Sequence, residues 1–264
     1  MTERRTFAGG LTVHGLNRNE TDYLYKEIFE DQVYTPPGGF QLPDDPVVFD
    51  VGANIGMFTL FAAQRFPGAR IFSFEPVPRT FDVLSRNVEG LAGVRPLNMA
   101  LGDARQTREL TFYPQYSMMS GFDADPEVDR ALVRSYIENV ASTLDDERRD
   151  ALLEEADELI VDRFEGRQEV PCRVERLDDM AAELGVDRID FLKIDVEGFE
   201  VRVLEGIGAA FWPRIGAAAV EVEDDAGELA LVTKLFTEHG MRTVVEQPGE
   251  YQGTSVYNVF ASRP

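Results

Sequence analysis

The chain is poor in the residues that most readily reveal a protein's chemistry. Among 264 residues there is one cysteine, Cys172, and there are two histidines, His14 and His239. One thiol cannot form an internal disulfide, and no histidine lies near it in sequence, so Cys172 reads as a buried or idle side chain. No run of about 18 apolar residues occurs, and the polar first ten residues lack the apolar core of a secretory leader. A soluble, cytoplasmic protein is therefore expected. Positive charge is scarce too: 26 Lys and Arg face 48 Asp and Glu, a net charge of -22. Phosphate backbones demand a basic surface, so nucleic acid is not an expected partner. Anionic membranes and acidic carrier proteins gain no electrostatic steering. The 44% hydrophobic content is that of a folded protein, and the length suits one α/β domain with additions.

Residues 47–56 read Val-Val-Phe-Asp-Val-Gly-Ala-Asn-Ile-Gly. An apolar strand meets Asp50, then a turn bracketed by Gly52 and Gly56 and containing Ala53 and Asn54, then an apolar helical pattern. Such a strand-turn-helix brings backbone N–H groups to a bound ligand. The next apolar run, 71–74, ends in Glu75, placed to accept hydrogen bonds from both hydroxyls of a ribose. The pair points to a nucleoside. A dinucleotide fingerprint needs a glycine where Asn54 stands, and no Walker lysine follows, so NAD and nucleoside triphosphates fit poorly. S-adenosylmethionine, which has no pyrophosphate, fits better, with Asp50 holding its ammonium group directly or through water. An NAD-linked oxidoreductase and a non-catalytic nucleoside-binding module are the competing readings.

Strand and helix signals alternate, which predicts a parallel sheet with helices on both faces. Strands are expected at 47–50, 69–74, 94–99, 189–195, 217–223 and 257–261, with weaker signals at 109–113, 170–173 and 242–246. Helices are expected at 20–30, 55–65, 78–89, 177–184, 199–207 and 227–239. Residues 1–46 form a helical lead-in, and 47–264 the main domain. Within the latter, 121–166 reads as an acidic helical insertion: residues 123–165 hold 15 acidic and 5 basic side chains, with apolar spacing through Val128, Leu132, Tyr136 and Val140. It is either a solvated helix pair or a lid over a substrate pocket.

A second strand-turn-helix runs Asp190-Phe-Leu-Lys-Ile-Asp-Val-Glu-Gly-Phe-Glu200. A lysine inside a strand is costly unless paired, so Lys193 is expected to reach Asp195, Glu197 or a ligand. Ionisable groups converging at a strand's carboxyl end mark a site in this kind of sheet.

These segments, with Phe74-Glu75-Pro76 and Asn98-Met-Ala-Leu-Gly-Asp103 between them, resemble the FkbM family of S-adenosylmethionine-dependent methyltransferases. Two further segments, Leu16-Asn-Arg-Asn-Glu-Thr21 on to Tyr34 and residues 112–121, are similar to a subgroup associated with polyketide and nonribosomal peptide assembly lines. The resemblance implies the class I methyltransferase fold: a Rossmann-like three-layer sandwich on a seven-stranded mixed sheet with one terminal antiparallel strand. It implies that Asp50, Gly52, Ala53, Asn54 and Gly56 line the methionine end of S-adenosylmethionine, that Glu75 and Pro76 lie at the ribose, that Ala100, Leu101 and Asp103 run along the adenine, and that Asp195 lies beside the transferred methyl. Tyr34 is a candidate for the cofactor carboxylate. The acceptor is then a hydroxyl of a small secondary metabolite or its intermediate, free or carrier-bound.

Methyl transfer to a hydroxyl needs a base. Asp195 and Glu197 are within reach by spacing, with Lys193 beside them, but both carboxylates begin a helix, whose dipole is expected to lower their pKa. His14, in the lead-in, is the histidine candidate; His239 reads as a helix end before Gly240. Glu221 and Glu223 are alternative bases, or with Asp195 ligands for a Mg²⁺-like cation, although the resemblance calls for no metal. Met118, Met119 and Phe122 form an apolar substrate wall or packing beneath the insertion.

Overall fold

A computed structural model describes residues 2–264, the side chains of 155, 157–159, 161 and 162 excepted. In chain order the elements are β1 (Glu3–Thr6), β2 (Thr12–Gly15), α1 (Arg18–Tyr25), β3 (Val47–Val51), α2 (Met57–Arg65), β4 (Arg70–Phe74), α3 (Pro78–Asn87), β5 (Val94–Leu97), β6 (Ala100–Leu101), β7 (Gln106–Phe112), α4 (Pro126–Ser142), α5 (Asp146–Phe164), β8 (Gln168–Glu175), α6 (Leu177–Glu183), β9 (Ile189–Ile194), α7 (Glu200–Glu205), β10 (Ile215–Glu223), α8 (Glu228–Glu238), β11 (Arg242–Glu246) and β12 (Val256–Ser262). A π-helical turn, Lys26–Glu30, prolongs α1.

Seven strands form one sheet in the order β11-β12-β10-β9-β3-β4-β5. All neighbours are parallel except β12, antiparallel to both β10 and β11. This is the class I methyltransferase sheet. Its central strand β3 (Val-Val-Phe-Asp-Val) is buried at every position, as a strand covered on both faces must be. Phe49, Val51, Leu192 and Ile194 pack on one side with α7 and α8 residues such as Val203 and Phe236. Val48 and Phe191 pack on the other with Phe58 and Phe61 of α2 and Leu24 of α1. Asp50 and Lys193 are register partners in β3 and β9.

Three features differ from the sequence reading. The lead-in begins with the β1–β2 hairpin, because Arg-Arg-Thr and Thr-Val-His alternate in and out rather than following a helical period. The weaker strands β7 and β8 leave the main sheet and, with β6, make a separate three-stranded sheet. The insertion is a helical hairpin, α4 and α5, strung between β7 and β8. Its fully buried stripe is Asp129, Val133, Ile137 and Ala141, one residue on from the expected Val128, Leu132, Tyr136 and Val140. Val128 is 44% exposed. The stripe is displaced because α4 packs against α5 on one side, through Ala156, Ile160 and Phe164, while Leu132 and Tyr136 turn toward α1 and the cleft. Among the described residues no helix is long and apolar enough to cross a membrane.

Gly52 shows how closely the two central strand ends approach. Its φ is +77°. A Cβ placed there would lie 1.7 Å from the Asp195 carbonyl oxygen. Its necessity therefore comes first from strand β9, before any ligand is considered. Gly52→Ala is expected to lower stability by at least about 2 kcal/mol through the combined left-handed strain and overpacking, measured by urea unfolding; an unchanged midpoint would contradict the close approach.

Candidate active site

The carboxyl ends of β3, β4, β9 and β10 surround a cleft lined by both apolar and acidic side chains. Lys193 is buried behind Asp195 and does not itself line the cleft. The Nζ donates to the Gly52 carbonyl at 2.7 Å and lies 3.2 Å from Asp195 Oδ2 and 3.5 Å from Asp50 Oδ1. Burial opposes the charge on Lys193, but the two aspartates outweigh it and raise its pKa. The expected pairing with Asp195 is thus present, and Asp50 is the second partner.

Asp50 itself lies beneath the cleft. It is 0% exposed and accepts from Thr59 Oγ1 of α2 at 2.6 Å, and Thr59 in turn shares a hydrogen bond with Ser73 of β4. This corrects the expectation that Asp50 meets a ligand: side chains alternate along β3, so the residue between Phe49 and Val51 points into the sheet's α2 face. Ala53 and Gly56 are likewise off the lining. Ala53 N donates to Phe74 O, and Gly56 starts α2 at φ +89°. Asp103 faces outward to Arg202 at 3.2 Å. His14 lies on β2, clamped through its backbone by Asn87, and does not line the cleft. His239 stacks on Trp212 at the end of α8. Cys172 is buried, its thiol pushed up to about 12 by burial.

The cleft is lined by Gly52, Asn54, Glu75, Pro76, Ala100, Leu101, Tyr34, Asp195 and Glu197 from the sequence reading. Glu75 ends β4, and its two oxygens accept from Asn54 N at 3.0 Å and Val77 N at 2.9 Å. Apolar walls from Phe74, Val77, Leu101 and Leu110 stand around it. Tyr34 donates to Asp195 Oδ2 at 2.8 Å, so it orients the carboxylate that Lys193 also holds. Asn54 and Glu197 both take left-handed backbone, at φ +46° and +52°, conformations non-glycine residues adopt where the surroundings impose them.

At the far end the lining turns acidic with Glu27, Glu197 and Glu221. Burial pushes Glu27 up to about 8 and lifts Glu197 and Glu221 well above the usual carboxylate range, reinforced by their neighbours. Glu197 and Glu223 share a hydrogen bond, Glu223 itself being pushed to about 7. The helix-dipole expectation for Glu197 is therefore reversed. Glu197 precedes a helix of only six residues, and desolvation beside a second carboxylate outweighs a dipole that small. Among the described residues no group of three or more His, Cys, Asp or Glu side chains is arranged to hold a metal ion.

Glu20, Glu27 and Ser117 were not singled out from the sequence. Glu20 of α1 accepts from Ser117 Oγ at 2.6 Å and Met118 N at 2.8 Å, and Ser117 Oγ accepts from Asn54 Nδ2. The signal was present in part: the two short segments that suggested a subgroup, around residues 16–21 and 112–121, are the two halves of this one contact.

The chain matches the family model described as the Methyltransferase FkbM domain over residues 50–243. It is 39% identical to the 31-O-demethyl-FK506 methyltransferase FkbM of Streptomyces tacrolimicus, covering 100% of this chain and 98% of that protein. It is also 39% identical to the AMB antimetabolite synthetase AmbE of Pseudomonas aeruginosa over 97% of this chain, which spans 12% of that synthetase's length. Methyltransferase sdnD of Sordaria araneosa is 32% identical over 88% of this chain and 86% of its own.

The buried carboxylates make stability depend on pH. The folded protein keeps Glu27 and Glu200 protonated to about 8, and Glu75 to about 7, whereas the unfolded chain releases these protons near pH 4–5. The stability they contribute is full below that lower range and is lost as pH rises through about 7–8. The Tm of the ligand-free protein is expected to fall from about pH 5.5 to about pH 8.5, and Glu27→Gln to flatten that fall; differential scanning calorimetry checks both. Lys193→Met, which leaves Asp50 buried without its cation, is expected to cost about 3–5 kcal/mol in urea unfolding.

Proposed function

Because this chain belongs to the FkbM methyltransferase family and is a methyltransferase, we propose that it transfers a methyl group from S-adenosylmethionine to a hydroxyl of a small secondary metabolite or its biosynthetic intermediate. The observation that carries this reading is the polarity of the cleft. It has a nucleoside-sized apolar end built around Glu75 and an acidic end at Asp195, Glu197 and Glu221. Buried carboxylates with raised pKa values favour a ligand that brings positive charge, which suits a sulfonium nucleoside bearing an ammonium group.

When bound, S-adenosylmethionine supplies a methyl already activated by its sulfonium. The residues present fit it. Glu75 retains acceptor capacity for ribose hydroxyls after its two backbone bonds, because a carboxylate offers about four lone-pair sites. Pro76, Ala100 and Leu101 offer a flat apolar surface for the base. Gly52, Asn54 and Asp195, the last held by Tyr34 and Lys193, would hold the amino-acid end.

The remaining task is the acceptor's proton. Glu197 and Glu221 reach the cleft with pKa values lifted well above the usual carboxylate range by burial, so their ionised forms are stronger bases than an ordinary carboxylate. Positive charge arriving in the cleft favours those ionised forms. The base is then in place when the cofactor site is filled, and the proton leaving the acceptor oxygen is held on a carboxylate that already shares one with Glu223. Asp195, tied to Lys193 and Tyr34, serves as a fixed counter-charge rather than as the base. His14 is not needed.

Calorimetry separates this reading from nicotinamide chemistry: S-adenosylmethionine and S-adenosylhomocysteine are expected to bind and NAD not to. Tight NAD binding would overturn the cofactor. Glu75→Ala is expected to weaken S-adenosylhomocysteine by at least about tenfold, or 1.4 kcal/mol. S-adenosylmethionine carries one more positive charge than S-adenosylhomocysteine, so its relative affinity should rise between about pH 6 and pH 8 as the carboxylates ionise; a ratio that falls with pH contradicts the electrostatic argument. Labelled methyl recovered on amine but not hydroxyl acceptors would refute O-methylation.

A further inference from the structure

Two more cavities lie beyond the acidic end of the cleft, and their linings overlap in sequence. The first, a narrow one, shares Met118, Glu197 and Glu221 with the cleft. The second, wider and open to the surface, shares Tyr23, Tyr116 and Tyr136 with the first and no residue with the cleft. The small cavity is therefore the junction between the surface groove and the carboxylates.

The junction is built by three distant parts of the chain. Tyr23 comes from α1, Tyr136 from α4 of the insertion, and Tyr251 from the turn between β11 and β12. The hydroxyls of Tyr23 and Tyr251 are 2.8 Å apart, and Tyr23 donates to Glu27 at 2.9 Å. Tyr136 meets both rings, at 5.8 Å edge-on to Tyr23 and 5.3 Å to Tyr251. Asn139 of α4 donates to the carbonyls of Glu250 and Gln252 and fixes the insertion to the turn. At the groove's mouth Arg163 of α5 lies 4.7 Å over the Tyr116 ring.

We propose that this tyrosine-lined junction is the acceptor site, and that it takes a ring-bearing alcohol with no negative charge at its reacting end, entering from the groove between α1 and the insertion. The proposal rests on the methyltransferase reading above and specifies its acceptor. Tyrosine rings offer stacking faces to a ring and hydroxyls to its polar edge. Met118, Leu132 and Val133 supply the apolar remainder of the wall. Glu197 and Glu221 at its inner end repel an anion and accept from a hydroxyl directed at them. The acceptor's O–H bond breaks as its oxygen bonds the methyl, the methyl–sulfur bond breaks with its electron pair left on sulfur, and the proton passes to a carboxylate.

The test uses protein saturated with S-adenosylhomocysteine and two probes of one skeleton, 4-hydroxybenzyl alcohol and 4-hydroxybenzoate, observed by saturation-transfer NMR. The alcohol is expected to bind and the benzoate to bind more weakly or not at all. Leu132→Trp, which fills the junction, and Tyr136→Ala, which removes a stacking face, are each expected to weaken the alcohol by about three- to tenfold. Both should leave S-adenosylhomocysteine affinity within about twofold of the parent, which also shows that the variants fold. Benzoate binding as well as the alcohol, no binding of the alcohol, or indifference to both substitutions would overturn the acceptor assignment. Failure of S-adenosylhomocysteine to bind the parent protein would instead overturn the cofactor reading.

Discussion

The Lys193 ammonium, buried between Asp50 and Asp195 and donating to the Gly52 carbonyl, fixes the ends of the two central strands relative to one another. The turn after β3 and the turn after β9 touch at Gly52 and Asp195, and both line the cleft. A buried ion pair contributes little net stability, since desolvation consumes most of the Coulombic gain. Its contribution is position. Lys193 closes one network downward, through Asp50 and Thr59 to Ser73, and another upward, through Asp195 to Tyr34. The lower network tells α2 and β4 where to sit, and the upper one presents a carboxylate to the cleft in a single orientation.

Lys193 is a single ammonium facing several carboxylates. Glu27, Glu197, Glu221 and Glu223 are left to neutralise themselves by holding protons, and burial raises their pKa values accordingly. An empty cleft of this kind is electrostatically incomplete. It favours a ligand that carries positive charge, and it presents basic carboxylates when that ligand ionises them. In the proposed reaction, cofactor binding and activation of the base would both follow from this charge imbalance at the acidic end.

Segments outside the sheet complete the site. Glu27 comes from the lead-in, and Ser117 and Met118 come from the loop before the insertion. The contact of Glu20 with Ser117 and Met118 joins the lead-in to that loop across the cleft's upper edge. The described charged side chains of α4 and α5 are mostly exposed, while Leu132, Val133 and Tyr136 of α4 wall the junction.

The order of strands and the pairing need of Lys193 were legible because each is local. Alternation and glycine spacing set β3 and β9, a carboxylate at a strand end marks Glu75, and a lysine in an apolar strand must find a partner. What the sequence could not decide is which side of a turn each residue faces and what packs against it. Asp50 belongs to the network under the sheet, not to the cleft, because strand alternation directs it toward α2. Glu197 has a raised pKa because folding buries it beside Glu223, 26 residues away in the chain. His14 is removed from the site by a hairpin whose backbone is held by Asn87. By itself the sequence determined the scaffold and the glycine turn and carboxylate at its strand ends, since short-range pattern encodes both. The tertiary structure alone decided the acidic end and the tyrosine junction, since long-range packing brings α1, α4, β10 and the β11–β12 turn together there.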